Sequence, residues 1–396
     1  MRLFAAASLL AVAACSQPAE KPAADNPMAI HRSLLVLDTH LDTPINFERP
    51  GWDFGDRHTL ADDLVQLDLP RMADGNLDGG FFAIYTAQGP LTAKGYADAL
   101  AFARKRSDSI DRVISANAAA ISPALTVADA ERLAGEGKLI AFKSIENSYP
   151  LGEDLALLQE FYDRGVRLAG PVHSKNNQFA DSSGDEPKWN GLSPLGERWV
   201  AEMNRLGIVI DASHSSDAAL DRMLELSKAP ILLSHTSPRS AFDHPRNLDD
   251  TRIKALAAKG GAICMSTIYL SPMNLTDARA KLFDAYEHIA DLDPKAQAEL
   301  VRQWRELDKT EQMWSTTFEQ YMTALLHVIE VAGVDHVCFG ADWDGGGGIA
   351  GMEDITALPV VTQRLLAAGY SRDDVNKMTG GNVLRILQEA QEAASH

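Results

Sequence analysis

Eight short apolar runs, each ending in polar residues and most followed by a longer amphipathic stretch, narrow what this chain can fold into more than any other feature. They lie at 35–41, 79–86, 139–145, 166–172, 208–213, 231–234, 262–267 and 336–341. A run that is apolar throughout suits a strand buried on both faces, and apolar residues at helical spacing suit the helix that covers it. Strand then helix, repeated along the chain, predicts an α/β fold of the TIM type, a (β/α)8 barrel. Helices are expected at 59–74 (Leu60, Leu64, Leu67, Met72), 95–118 (Leu100, Phe102, Ile110, Val113, Ile114), 151–164, 194–206, 216–228 and 249–259. Residues 270–333 are too long for an ordinary crossover and predict a helical insertion between the seventh and eighth strands, read either as a lid or dimer surface or as a solvated excursion. No repeat, heptad pattern or second boundary interrupts the series, so one domain is expected over 28–396.

In such a barrel the chemistry gathers at the carboxyl ends of the strands, so what ends each run matters. The first run ends Asp38-Thr39-His40-Leu41-Asp42, and in a strand the alternating residues 38, 40 and 42 share a face. The third ends in Glu146-Asn147, the fourth in His173, the fifth in Ser213-His214, the sixth in Ser234-His235 and the eighth in Asp342-Trp343-Asp344. A lone histidine after a strand is ordinarily a satisfied core residue. This many carboxylates and imidazoles buried at one end would be costly without cations between them, and two divalent metals are the natural compensation.

The ends of the chain carry other information. Arg2 precedes an apolar run, 3–14, too short to span a bilayer, and Val12-Ala13-Ala14-Cys15 reads as a lipobox. The expectation is a lipoprotein signal peptide over 1–15, a lipid on Cys15, a flexible tether over 16–27, and a bacterial envelope location, with Ser16 pointing to the outer membrane and the domain facing the periplasm. A net charge of −18 argues against nucleic acid and against any membrane contact beyond that lipid. Only Cys264 and Cys338 remain in the body, each within an apolar run, so a disulfide framework is excluded and two buried free thiols are expected in preference to a single bridge.

The strand-end motifs resemble those of the membrane (renal) dipeptidase family, zinc dipeptidases of the amidohydrolase superfamily. The resemblance runs from Asp38-Thr39-His40-Leu41-Asp42 through Asp68-Leu69-Pro70-Arg71, Glu146, Ser213-His214, Ser234-His235 and Arg246-Asn247 to Gly340-Ala341-Asp342-Trp343-Asp344-Gly345 and Gly380-Gly381-Asn382-Val383-Leu384-Arg385. It covers about 30–388. Thr39, Leu41 and Asn147 depart from the family pattern without removing a ligand. The resemblance implies two Zn²⁺ per chain, one held by His40 and Asp42, one by His214 and His235, with Glu146 bridging. It also implies hydrolysis of the peptide bond of a free dipeptide by a metal-bridging hydroxide, and a homodimer. Three protein donors per ion leave open positions, the catalytic pattern of zinc.

By the same resemblance His173 binds substrate and stabilises the oxyanion. Asp342 is the catalytic acid/base beside the substrate, with Asp344 orienting it. Arg246 clamps the substrate's terminal carboxylate, since guanidinium and carboxylate pair through two bonds. Gly345 to Gly348 lack the Lys-Ser/Thr of a phosphate cradle and read as a flexible loop over the site. Trp52 and His58 are candidates to shape the pocket. His31, His244, His288, His327 and His336 are left as surface or structural residues. Other amidohydrolase chemistry, on acyl-amino acids, lactones or β-lactams, is the alternative, but those relatives usually carry His-x-His where this chain has His-x-Asp. A non-catalytic peptide-binding lipoprotein is disfavoured because every presumed ligand is present.

Overall fold

The computed structural model describes residues 26–394, so Cys15, the signal segment and most of the tether lie outside the described residues. The described residues open with a helix Pro27–His31 capped by Asn26. Among the described residues nine strands follow: β1 (Leu37–Leu41), β2 (Gly79–Tyr85), β3 (Ile121–Pro123), β4 (Leu139–Glu146), β5 (Val166–Ala169), β6 (Val209–Ile210), β7 (Leu232–Thr236), β8 (Ala262–Met265) and β9 (Val337–Phe339). All eight apolar runs are strands; the unforeseen β3 is a three-residue strand that pairs with β4 beside the main path.

The fold is α/β and every strand pair is parallel. One sheet runs β1-β2-β4-β5-β6 and a second β7-β8-β9. Single bridges join them at both margins, Asp211 with Leu232 and Leu41 with Trp343. The β2–β4 register sets Tyr85 beside Glu146, so the strands finish level and their last side chains share one rim.

The helices Ala93–Ala116, Pro194–Leu206, Asp217–Leu226 and Asp250–Ala258 match the apolar spacing closely. The expected helix over 59–74 is shorter, Leu69–Gly75, for two physical reasons. Asp68 is its N-cap, accepting from Arg71 N at 2.8 Å. Upstream, Leu64 takes a left-handed backbone at φ 68°, which ends any helix running into it. Between β8 and β9 lie three helices, Asp277–Glu287, Pro294–Asp308 and Phe318–Ala332. The first two close on a small core of Tyr286, Ile289, Leu300 and Val301. Among the described residues no helix is long and apolar enough to cross a membrane.

The free-thiol expectation is wrong. Cys264 and Cys338 are register partners on β8 and β9, their Cα atoms 4.1 Å apart, and they form a disulfide. Adjacent parallel strands bring opposed residues together regardless of their sequence separation of 74, which spacing along the chain does not reveal. The glycine run after β9 also differs from expectation. Gly345 N and Gly347 N turn back onto Asp342 O at 3.2 and 2.8 Å. A Cβ on Gly345 would collide with the carboxylates of Asp42 and Asp342, so the segment is a packed turn that requires glycine there.

Candidate metal centre

The rim gathers the strand-end residues into one cluster. His40 is the fourth residue of β1 and Asp42 follows its end; Glu146 ends β4, His235 lies within β7, and His173, His214 and Asp342 follow β5, β6 and β9. His40 Nε2 lies 3.2 Å from Asp42 Oδ2, 3.5 Å from Glu146 Oε2 and 3.8 Å from Asp342 Oδ1. The other Glu146 oxygen, Oε1, lies 2.9 Å from His214 Nε2 and 3.5 Å from His235 Nε2. Glu146 therefore turns one oxygen to each half of the cluster. The donors of His40, Asp42 and Glu146 lie within 4.8 Å of one another, as do those of Glu146, His214 and His235, and of His40, His235 and Asp342.

Backbone strain marks the same places. Asn147, His214, Asp342 and Asp344 all have left-handed φ, between 66 and 70°. Each costs on the order of 1 kcal/mol for a residue with a Cβ, and such strain persists where surrounding structure imposes it for a use.

Buried partners set the orientation of the ligands. Asp211 Oδ1 accepts from Ser213 N and Ser234 N at 2.9 Å each, and its Oδ2 accepts the Ser234 hydroxyl at 2.5 Å. With its one proton committed there, Ser234 Oγ accepts from His235 Nδ1 at 2.8 Å. The lone pair of His235 is thereby left on Nε2, which faces Glu146. On the other side Asp38 accepts from His40 N and Ala341 N at 2.8 and 3.1 Å. Asp38 thus lies behind the cluster and ties β1 to the segment after β9; burial raises its pKa to about 7.

The electrostatics fit cations. Burial, then the charges of Arg246 and neighbouring histidines, pushes His214 well below the ordinary histidine value; burial and then His40 and Arg246 do the same to His235. Both are neutral imidazoles. Burial opposes the charging of His40, but Glu146 and Asp42 outweigh it and hold His40 well above its ordinary value. Burial, against the pull of His40, and then the carboxylates of Asp42 and Glu146 hold Asp342 well above the carboxylate range. Convergent lone pairs and carboxylates with no basic side chain among them make a donor set that suits divalent metal.

The cluster opens into a cavity of about 890 Å³. His173 borders it, its Nε2 3.9 Å from Glu146 Oε1 and its ring edge-on to Tyr85 at 4.9 Å. Arg246 is buried in the wall, donating to Thr236 Oγ1 at 2.9 Å and His235 O at 2.8 Å, with Nε unpartnered. Asp344 does not reach Asp342 by a hydrogen bond; it accepts from Thr43 Oγ1 and Gln66 N at 2.6 and 2.7 Å. Trp52 and His58 stack on each other at 4.7 Å and brace the loop after β1 away from the cavity. His244, left unassigned from sequence, lines the cavity and stacks on Tyr269 at 4.2 Å. Tyr85, Arg106 and Glu287 also line it without any sequence motif having singled them out.

The profile of one family, the membrane dipeptidases (Peptidase family M19), matches residues 25–396. The chain belongs to that family. It is accordingly an enzyme of a metal-dependent peptidase family, a hydrolase. Similar proteins agree. "Dipeptidase aclJ" of Aspergillus oryzae is 31% identical over 336 residues, 83% of this chain and 71% of the relative. The crystal structure of the probable dipeptidase PvdM from Pseudomonas aeruginosa superposes with a TM-score of 0.79 at 29% identity, covering 93% of this chain and 98% of that one. A second structure, described as the dipeptidase AC, a metallopeptidase of family M19, gives a TM-score of 0.71 at 26% identity over 90% of this chain and 99% of its own.

Proposed function

We propose that this M19 enzyme is a binuclear zinc dipeptidase that hydrolyses the single peptide bond of free dipeptides. The observation that carries the reading is Glu146, whose two oxygens serve the His40 and Asp42 half and the His214 and His235 half separately. In this assignment those five residues hold the metals. When bound, two zinc ions supply a water acidified toward neutral pH and polarisation of the scissile carbonyl.

The chain's own groups do the rest. Asp342, beside His40 and Asp42, accepts the proton of the attacking water and passes it to the leaving amine, and its raised proton affinity suits it to hold that proton in between. His173, whose pKa burial lowers, presents a neutral imidazole from the cavity wall whose N–H stabilises the developing oxyanion. Arg246, whose guanidinium lines the cavity, takes the C-terminal carboxylate. The carboxylate must sit one residue past the scissile bond, which selects dipeptides over longer chains.

We read the two bridged sheets as one closed (β/α)8 barrel, with the helices Asp277–Glu287 and Pro294–Asp308 as an insertion over its rim. The leader around Cys15 extends the proposal to a lipid-anchored enzyme of the bacterial envelope. The test of function is amino-acid release from Ala-Ala by the purified protein supplied with zinc, against N-acetylated and C-amidated forms. Cleavage of the free dipeptide alone, abolished by a chelator, is expected. Bound zinc without turnover of any dipeptide would transfer the reaction to other acyl substrates.

A further inference from the structure

Two guanidinium groups border the cavity on opposite sides of the cluster, and the function proposed above employs one. Arg246 is hung on β7 through His235 O and Thr236. Arg106, on the helix Ala93–Ala116, is hung on the other margin, its Nη1 donating to Pro44 O two residues beyond Asp42. The two are built alike. Each is fixed by a backbone carbonyl, each borders the cavity, and each has a buried Nε with no partner.

Arg106 also lacks a close counter-charge: no carboxylate among the described residues comes within 4.0 Å of it, whereas Arg104 and Arg112 on the same helix each pair with a glutamate. The nearest candidate on its own side, Glu48, is already engaged by Lys105 at 3.0 Å and Arg112 at 3.8 Å. Burial lowers the Arg106 pKa despite the pull of Glu48, Asp42 and Asp291, the mark of a charge that its surroundings leave under-compensated. An arginine held in a cavity wall with no acid within ion-pair distance is a preformed anion site.

Resting on the dipeptidase reading, we infer that Arg106 recognises a carboxylate on the side chain of the substrate's first residue, so that the enzyme favours dipeptides beginning with glutamate or aspartate. With the terminal carboxylate on Arg246 and the scissile carbonyl at the cluster, the first residue extends toward Asp42 and the segment carrying Pro44. An acidic side chain there meets the Arg106 fork. Lys105, exposed and shared with Glu48, adds positive potential at the cavity mouth.

Glu287 and Asp291 line the same cavity, Asp291 near enough to act on Arg106, and would suit a basic first residue, so the experiment must separate the two. It compares kcat/KM for Glu-Ala, Gln-Ala and Lys-Ala with the purified zinc-loaded protein and with Arg106→Gln and Arg106→Lys. A site built to bind a polar group discriminates strongly against its isostere, so Glu-Ala should exceed Gln-Ala by about tenfold or more in the unmodified enzyme. In Arg106→Gln that ratio should collapse to near one. In Arg106→Lys, which keeps the charge and loses the fork, an intermediate ratio is expected, largely through KM. A ratio near one in the unmodified enzyme overturns the inference, whether or not the variants fold. So does an unchanged ratio in Arg106→Gln, or a preference for Lys-Ala, which would assign this branch to Glu287 and Asp291. Failure to cleave any of the three despite bound zinc removes the dipeptidase reading itself, and the inference with it.

Discussion

The two halves of the centre are built differently. His40 and Asp42 stand two residues apart at the end of one strand, so a single local segment aims both side chains. His214 and His235 come from different strands, 21 residues apart, and meet with their Nε2 atoms 2.9 Å apart; Asp211 and Ser234 lock His235 from behind, and Asp211 holds the backbone beside His214 through Ser213 N. One half is therefore written in local sequence, the other in a buried hydrogen-bond network. The first should tolerate changes behind it; the second should not.

The sharpest way to break the comparison is to remove what the halves share. Glu146→Gln removes the charge of the group whose two oxygens face the two halves separately, and activity should fall by well over a hundredfold, beyond the ~10–100-fold typical of outer-shell changes. Metal analysis of the purified variant should show loss from both halves. Retention of full metal content with full activity would end the bridging assignment.

A paired substitution behind each half comes next. Asp211→Asn takes the charged acceptor from Ser234, freeing its proton to point at His235 Nδ1 and spoiling the tautomer, so metal affinity should drop by about 10–100-fold. Asp38→Asn touches only the backbone N–H groups of His40 and Ala341, and should cost less than about tenfold on the same scale. Competition with a chromophoric chelator measures both. Equal losses would show that the halves are equally dependent on their backing and that the distinction fails.

How much of this was legible in sequence follows the same division. The β1 half could be read because a period of two fixes which residues share a face. The eight strands could be read because parallel strands buried on both faces are apolar throughout. Whether His214 and His235 would meet could not be read from the residues alone; the family resemblance supplied it. What escaped depends on register or on non-local contact. Cys264 and Cys338 pair because β8 and β9 align them, and Arg106 reaches the cavity because its helix lies against Pro44. The 59–68 segment misled because its leucines have helical spacing while Leu64 needs a left-handed backbone and Asp68 starts the helix late.

The disulfide tests the strand bodies against the strand ends. It joins β8 to β9 within a cluster of buried apolar residues that also holds Leu37, Phe81 and Ile140. Replacing both cysteines with alanine should lower stability by about 2–4 kcal/mol in denaturant titration, the usual worth of a bridge closing a long loop. The activity of the folded fraction should stay within about twofold, since nothing in the centre bonds to either cysteine. A large loss of activity at full folding would mean that the strand ends move with the strand bodies.

The smallest effect comes from a histidine as deeply buried as those of the centre but with no vacant nitrogen. His31 Nε2 lies 2.9 Å from Gly75 O, a carbonyl that only accepts, so that nitrogen carries the proton; Nδ1 then accepts from Thr362 Oγ1 at 2.8 Å. Burial lowers its pKa, against the pull of the Gly75 hydrogen bond. The folded state therefore binds a proton less readily than the unfolded chain, whose histidines titrate near about 6.5. Its contribution is fully present above that pH, declines as pH falls below it, and levels off once the folded pKa is passed. Denaturant titrations between about pH 5 and 7.5 on the metal-free protein should show this decline, and His31→Gln should flatten it. If the slope is unchanged in that variant, the pH dependence belongs to other histidines, and those of the metal-free centre, where His214 and His235 are also held neutral, become the next to replace.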